Sequence, residues 1–178
     1  MDFANPSNLE KVLSELCSRV SFDILISVAG VYGENDIADM DLEEWGLFQS
    51  VNATAAFLLS REVLPAMKER GSGHIVHIGS PGTNVGIAHK SAYVASKSAL
   101  KGFVLSLAKE VAQFGIKAHL ISPYLVDSSQ AIDWDSSPDE RDMLKCSDLV
   151  ELIFYLLNLP QRVHIDEISI KPLGIVGR

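Results

Sequence analysis

Two cysteines in 178 residues, Cys17 and Cys146, are too few and too far apart for a disulfide framework or for the close pairs of a zinc site. They read as ordinary thiols of a reducing compartment. Basic residues are also scarce: 15 Lys and Arg face 23 Asp and Glu, a net charge of −8. Such a surface repels phosphate backbones and anionic lipid, which argues against nucleic-acid and membrane partners. The histidines, His74, His77, His89, His119 and His164, show no metal-ligand spacing, and His74 and His77 fall on opposite faces of an extended run. No apolar run approaches the roughly 18 residues of a membrane span. Met1-Asp2-Phe3-Ala4 lacks the basic start and apolar core of a secretory signal. The expectation is a cytoplasmic protein without metal, nucleic-acid or membrane partners.

What is present fits one domain with a real core: 47% hydrophobic and 21% charged residues. Ser7 and Glu10 form a capping-box pattern before the helical spacing Leu9, Val12, Leu13, Leu16. Asp23 to Val28 is a buried strand stopped by Ala29-Gly30. Asp41 and Glu44 start a long helix that runs to about Arg70, where Gly71-Ser72-Gly73 ends it. His74 to Ile78 is a second strand. A helix follows over about 91–114, capped by Gly115, then a strand from Lys117 to Ile121. Ser137-Pro138-Asp139-Glu140 signals a helix start, Ser147 another, and Asp166 to Ile170 is the last strand. Strands alternating with long helices predict an α/β fold, a parallel sheet with helices on both faces. Ligands in such sheets bind beyond the carboxyl ends of the strands, here after Val28, Ile78 and Ile121.

Residues able to do chemistry gather at those ends. Tyr93 and Lys97 lie four apart on one helix face. A tyrosine holds its proton with a pKa of about 10, and a nearby ammonium favours the phenolate and lowers that value. The pair can then move a proton to or from a carbonyl or alcohol oxygen. Read alone, the pair is more readily a half-buried tyrosine beside a surface lysine. Ser80, at the end of the second strand, can hydrogen-bond a substrate oxygen or simply begin the turn at Pro81-Gly82. Asn52 is a poor helix former in the apolar stretch Val51-Asn52-Ala53, so its amide needs partners from a water or a backbone bend.

Together, Ser80, Tyr93 and Lys97 resemble the catalytic set of the short-chain dehydrogenase/reductase superfamily, with its Tyr-x-x-x-Lys spacing, and Asn52 falls at that family's fourth position. Gly73 to Ser80, Ala92 to Lys97, Asp23 to Gly30 and Gly115 to Pro123 follow family motifs in order along essentially the whole chain. The resemblance implies an NAD(P)-dependent oxidoreductase interconverting a carbonyl and a secondary alcohol on a Rossmann-like sheet. It makes Tyr93 the general acid/base, Lys97 the residue that lowers its pKa and bonds the nicotinamide ribose, Ser80 the partner of the substrate oxygen, and Asn52 the holder of a relay water. Ser27, Ala29, Gly30, Pro123, Val126 and Ser128 would join Tyr93 and Lys97 along the nicotinamide end, and Asp2, beside Phe3, would touch adenine. The C-terminal segments Leu159 to Ile168 and Lys171 to Gly174 look like those of NADP-dependent 3-hydroxy acid dehydrogenases, which implies NADP, with NAD possible. The family's homodimers or homotetramers pack long helices together, making Val51, Ala55, Phe57, Leu58, Leu100, Phe103, Val104 and Leu107 candidates for that face; they are equally candidates for the chain's own core.

The sequence departs from the family in three places. It has no Gly-x-x-x-Gly-x-Gly turn to bring backbone N–H groups to a pyrophosphate. By that resemblance, residues 1–178 form a single incomplete Rossmann-type domain, truncated in its N-terminal half, with weakened cofactor affinity and the Asp23–Val28 strand left as an apolar edge. Ser27-Val28 replaces two asparagines, and Pro123-Tyr124 replaces Pro-Gly, where tyrosine would resist a positive φ. The competing expectation is a catalytically incompetent short isoform or pseudoenzyme that acts as an interaction or dimerisation module. A serine hydrolase is disfavoured, because Ser80 is followed by Pro81 and lies outside a Gly-x-Ser-x-Gly elbow. The acidic segment 124–146 is expected to supply much of a substrate lid.

Overall fold

In a computed structural model, residues 1–128 and 143–176 are described. Helix α1 spans Pro6–Cys17 and starts two residues or so before the expected point. Its cap is Asn5, whose side chain accepts the Asn8 N–H at 3.0 Å, and Pro6 occupies the first turn, where its missing N–H costs nothing. Strand β1 is Ile24–Ser27. Asp41 caps α2, Leu42–Gln49, by accepting the Glu44 N–H at 2.8 Å. The long helix expected from there is interrupted by a π-helical turn, Ser50–Thr54, before it continues as α3, Ala55–Arg70. Gly71, at φ 70°, ends it.

Strand β2 is Gly73–Ile78, helix α4 is Ser91–Val111, and β3 is Ile116–Pro123. Two short strands unforeseen from the sequence, β4 (Val126–Asp127) and β5 (Leu144–Lys145), pair in parallel. Two-residue strands are too short to carry a hydrophobic period. Helix α5 is Cys146–Leu157 and β6 is Glu167–Ile170. The helix start expected at Ser137-Pro138-Asp139-Glu140 lies outside the described residues.

The four longer strands form one parallel sheet in the order β1-β2-β3-β6. Alternation along β2 and β3 divides the core. Ile75 and Ala118 pack with Val63 and Met67 of α3 and Leu107 and Val111 of α4. Val76 and Ile121 pack on the other face with Leu156 of α5. The α/β reading with helices on both faces therefore holds, and β3 is buried along its whole length. Strand β1 is the exception. Ile24, Ile26 and Val28 alternate along one of its faces and are 45%, 42% and 65% exposed, the apolar edge anticipated from the sequence.

Most candidates for a dimer face serve the chain's own core instead. Val51, Ala55, Leu58, Leu100, Val104 and Leu107 are buried without any partner. Phe57 is 43% exposed and meets the half-buried Phe103 edge-on, with ring centroids 6.0 Å apart.

His74 and His77 do lie on opposite faces of β2. His77 Nε2 is 2.9 Å from Ser60 Oγ, while His74 stacks on His119, which stacks on His164 at 4.9 Å between centroids. Burial holds His77 and His119 neutral, each pushed down to about 4. Both should therefore erode stability in acid. In the unfolded chain they protonate near 6.5, so the unfolded state binds more protons below that value. Their contribution is whole above about pH 6.5 and is lost as pH falls through about 4. The melting temperature should drop across that window, and less steeply in His119→Gln; equal slopes in the two proteins would contradict burial of a neutral ring. Gly115 sits at φ 69° with the Gly71 carbonyl pressed against the position a Cβ would take. Gly115→Ala should lower unfolding free energy in urea by about 1–2 kcal/mol or more.

Candidate active site

The site is built where β1 and β2 end and α4 begins. After Ser27 the chain leaves the sheet, and Asn52 catches it. The Asn52 amide oxygen accepts the Val31 N–H at 2.8 Å, and its nitrogen donates to the Val31 carbonyl at 3.0 Å and to Ser96 Oγ at 2.9 Å. The π-helical turn puts this side chain there. An α-helix widened by one residue turns it out of the helical ladder into the interior, where it is 1% exposed. The bend foreseen from an asparagine in an apolar helix is therefore present, and the Val31 backbone and the Ser96 hydroxyl partner its amide.

Ser96 extends the connection by donating to the Tyr93 carbonyl at 2.8 Å. Lys97, 5% exposed, donates to the Ile78 carbonyl at 2.8 Å and so ties α4 to the end of β2. Burial pulls its ammonium down to about 8. A Cβ on Gly30 would sit 3.2 Å from Asn52 Oδ1 and 3.4 Å from Lys97 Nζ, so the missing side chain lets backbone, amide and ammonium converge. Ser80 is also buried. Its Oγ accepts the Gly82 N–H at 3.2 Å at the start of a short turn, and it hydrogen-bonds the Tyr93 phenol.

Burial raises the Tyr93 pKa above the ordinary phenol value, and the Ser80 hydrogen bond and the charge of Lys90 offset part of that rise. Lys90 is thus a further cation bearing on Tyr93 besides Lys97, the one the sequence pointed to, whose ammonium bonds the Ile78 carbonyl. Lys90 was not singled out from the sequence. Its one signal is a lysine placed immediately before the helix start at Ser91. Ser96 was missed as well, hidden as a small residue in a helix.

The other expected residues separate into two groups. Ser27, Ala29 and Gly30 line the exit from β1, and Pro123 ends β3. Val126 pairs with Leu144, and Ser128 follows that pairing. Asp2 accepts the Ala4 N–H at 2.9 Å and is exposed. Tyr124 takes no positive φ, since His89 is the only non-glycine residue to do so among the described residues; its N–H bonds the Ile170 carbonyl at 2.8 Å, extending the β3–β6 ladder. The steric conflict expected at Pro123-Tyr124 does not arise.

Lys97 has N–H groups beyond the one given to Ile78, and they lie beside the opened backbone at Gly30. That pairing suits the diol of a ribose. No glycine-rich turn occurs to receive a pyrophosphate. The residues therefore fit the nicotinamide end of a dinucleotide. Asn52→Ala would leave both polar groups of Val31 unpaired inside the protein. A loss of about 2–3 kcal/mol in unfolding free energy, with faster amide exchange at Val31, is expected in urea titration and hydrogen exchange.

Known proteins share this architecture. The family model for short chain dehydrogenases matches residues 1–139. An uncharacterised oxidoreductase of Staphylococcus aureus (strain MRSA252) is 32% identical over 151 residues, 85% of this chain and 64% of the relative. The chain thus spans about two-thirds of the length of such curated relatives. The solved structure of a 4-hydroxyisoleucine dehydrogenase complexed with NADH superposes on the whole chain with a TM-score of 0.85 and 27% identity, over 80% of its own length. An actinorhodin polyketide ketoreductase with NADPH gives 0.84 and 27%, over 96% of this chain and 74% of its own. In sequence and in fold, the chain belongs to the short-chain dehydrogenase family.

Proposed function

We propose that Asn52, Ser80, Tyr93 and Lys97 form the proton-transfer site of a nicotinamide-dependent oxidoreductase that interconverts a carbonyl and a secondary alcohol. The observation that carries this reading is the burial of three of these polar side chains around the tyrosine, in contact with the chain's own backbone. The Asn52 amide is accounted for by the backbone it satisfies, but a buried ammonium held by a backbone carbonyl is costly, and a purely docking role gives no reason to keep Lys97.

Ser80 sits beside the Tyr93 phenol and hydrogen-bonds the substrate oxygen. During reduction Tyr93 gives its proton to that oxygen; during oxidation it takes the proton back from the hydroxyl. Lys97 holds the ribose diol, and its position is fixed by Ile78. Asn52 fixes the Val31 turn and orders water near it. A bound nicotinamide dinucleotide supplies or accepts the hydride at the substrate carbon. Ala29, Gly30, Pro123, Val126 and Ser128 are proposed to flank the ring. NADP is proposed over NAD on the similarity of the C-terminal segments, and NADPH and NADH both occur in the similar solved structures. A homodimer or homotetramer is proposed on the exposed Phe57 and its neighbour Phe103. Cytoplasmic residence is proposed on the two unpaired thiols. No helix among the described residues is long and apolar enough to cross a membrane.

The test is an NADPH fluorescence titration of the purified chain, with NADH alongside. Weak but saturable binding is expected. Tyr93→Phe should retain it while slowing carbonyl reduction by about 10²–10⁴-fold, and Lys97→Met should weaken the binding itself. Absence of binding at millimolar cofactor would defeat the reading for this chain.

A further inference from the structure

The loop after β1 carries a group of side chains that the proton-transfer chemistry above does not use. Tyr32 meets Tyr93 edge-on, with ring centroids 5.1 Å apart. Lys90 Nζ lies 4.7 Å above the Tyr32 ring and 2.7 Å from Glu34 Oε1. The Tyr32 hydroxyl donates to the same carboxylate at 3.0 Å. The backbones of the two segments are joined as well, since the Asn35 N–H bonds the His89 carbonyl at 2.7 Å. His89 is held at φ 59°, a conformation that non-glycine residues adopt only when their surroundings require it. Lys90 itself is 7% exposed, a burial that lysine rarely reaches unless paired, here with Glu34.

We propose that Lys90 is a positioning residue for Tyr93: paired with Glu34 and stacked over Tyr32, it latches the loop after β1 onto the start of α4, fixes the Tyr93 ring edge-on against Tyr32, and gives the site a second cation besides Lys97. This proposal rests on the reading of Tyr93 as the proton-transfer residue, and it adds a group that acts through Tyr93 rather than on the substrate.

Each element packed around the phenol has its part in the charge balance. Ser80 comes from the end of β2, Lys97 from α4, Lys90 from the residue just before it, and Tyr32 and Glu34 from the loop. Burial by itself would favour a neutral Lys90, but hydrogen bonds to Glu34 and Tyr32 outweigh it and keep the ammonium above the ordinary lysine range. Lys97 is pulled to about 8 by its own burial. At alkaline pH, therefore, Lys90 is the cation that persists beside Tyr93 after Lys97 has lost its charge. Glu34 sets how much of that charge is felt, because its carboxylate offsets it.

Two opposite signs follow, and a merely structural role would not produce them. Lys90→Met removes the cation and should make Tyr93 harder to ionise. Glu34→Gln leaves the cation without its counter-charge and should make Tyr93 easier to ionise. Lys90→Arg should restore the wild-type behaviour.

The measurement is 13C NMR of the purified chain labelled at tyrosine Cζ, with no cofactor added. Tyr93→Phe assigns the resonance among the four tyrosines, and circular dichroism at each pH defines the range in which the fold persists. At a fixed alkaline pH within that range, the ratio of phenolate to phenol at Tyr93 should fall about tenfold in Lys90→Met and rise several-fold in Glu34→Gln. Unchanged ratios in both, or shifts of the same sign, would overturn the proposal. If Lys90→Met does not fold, Glu34→Gln alone decides, since a phenol ratio equal to wild type in that variant rules out a cation acting on Tyr93 from this group. Cofactor is absent throughout, so failure of the NADPH titration and failure of this inference are separate results.

Discussion

The hydrogen bonds between the Asn52 amide and the Val31 backbone set the geometry of everything around Tyr93. A chain leaving a parallel sheet has no neighbouring strand to satisfy its N–H and C=O groups, and burying them unpaired costs about 1–3 kcal/mol each. One side chain offering a donor and an acceptor together meets both needs. It can reach only because its helix widens at that point, and it reaches further, to Ser96, so the exit from β1 and the turn of α4 carrying Tyr93 become one rigid piece. Gly30 completes the constraint, since a side chain there would press on both Asn52 and Lys97.

That rigidity gives the electrostatics their meaning. Tyr93 and Lys97 are both removed from water, and burial works against the charged form of each, raising one and lowering the other. Their pKa values, close together in water, are thus driven apart, Lys97 to about 8 and Tyr93 above the ordinary phenol value. The phenol therefore holds its proton through the range in which the Lys97 ammonium gives up its own.

How much of this was legible in the sequence depends on the length over which a signal repeats. The strands from Asp23, His74 and Lys117 and the helices from Asp41 and Ser91 rest on long periodic patterns and strong caps, and all appear with boundaries shifted by a few residues at most. Ser80, Tyr93 and Lys97 were legible because their spacing along one helix and one strand end is itself informative. The start of α1 was misread because Ser7 and Glu10 mimic a capping box while Asn5 with Pro6 wins the competition. The dimer-face residues were ambiguous because an apolar position on a long helix looks the same whether it meets its own sheet or another copy. Lys90, Tyr32 and Glu34 escaped notice because ion pairs between a loop and a helix end have no periodicity.

The π-helical turn at Ser50–Thr54 also has a genetic meaning. Such a turn is an α-helix that has accepted one residue too many, and each residue of helix rotates its neighbours by about 100°. The wider turn takes up that rotation, so removing one residue would restore a regular helix with α2 and α3 facing as before. Asn52 would lose the turn that delivers it to Val31. This stretch therefore tolerates substitution far better than deletion: the count of residues between Asp41 and Ala55 is as much a part of the site as the asparagine it delivers.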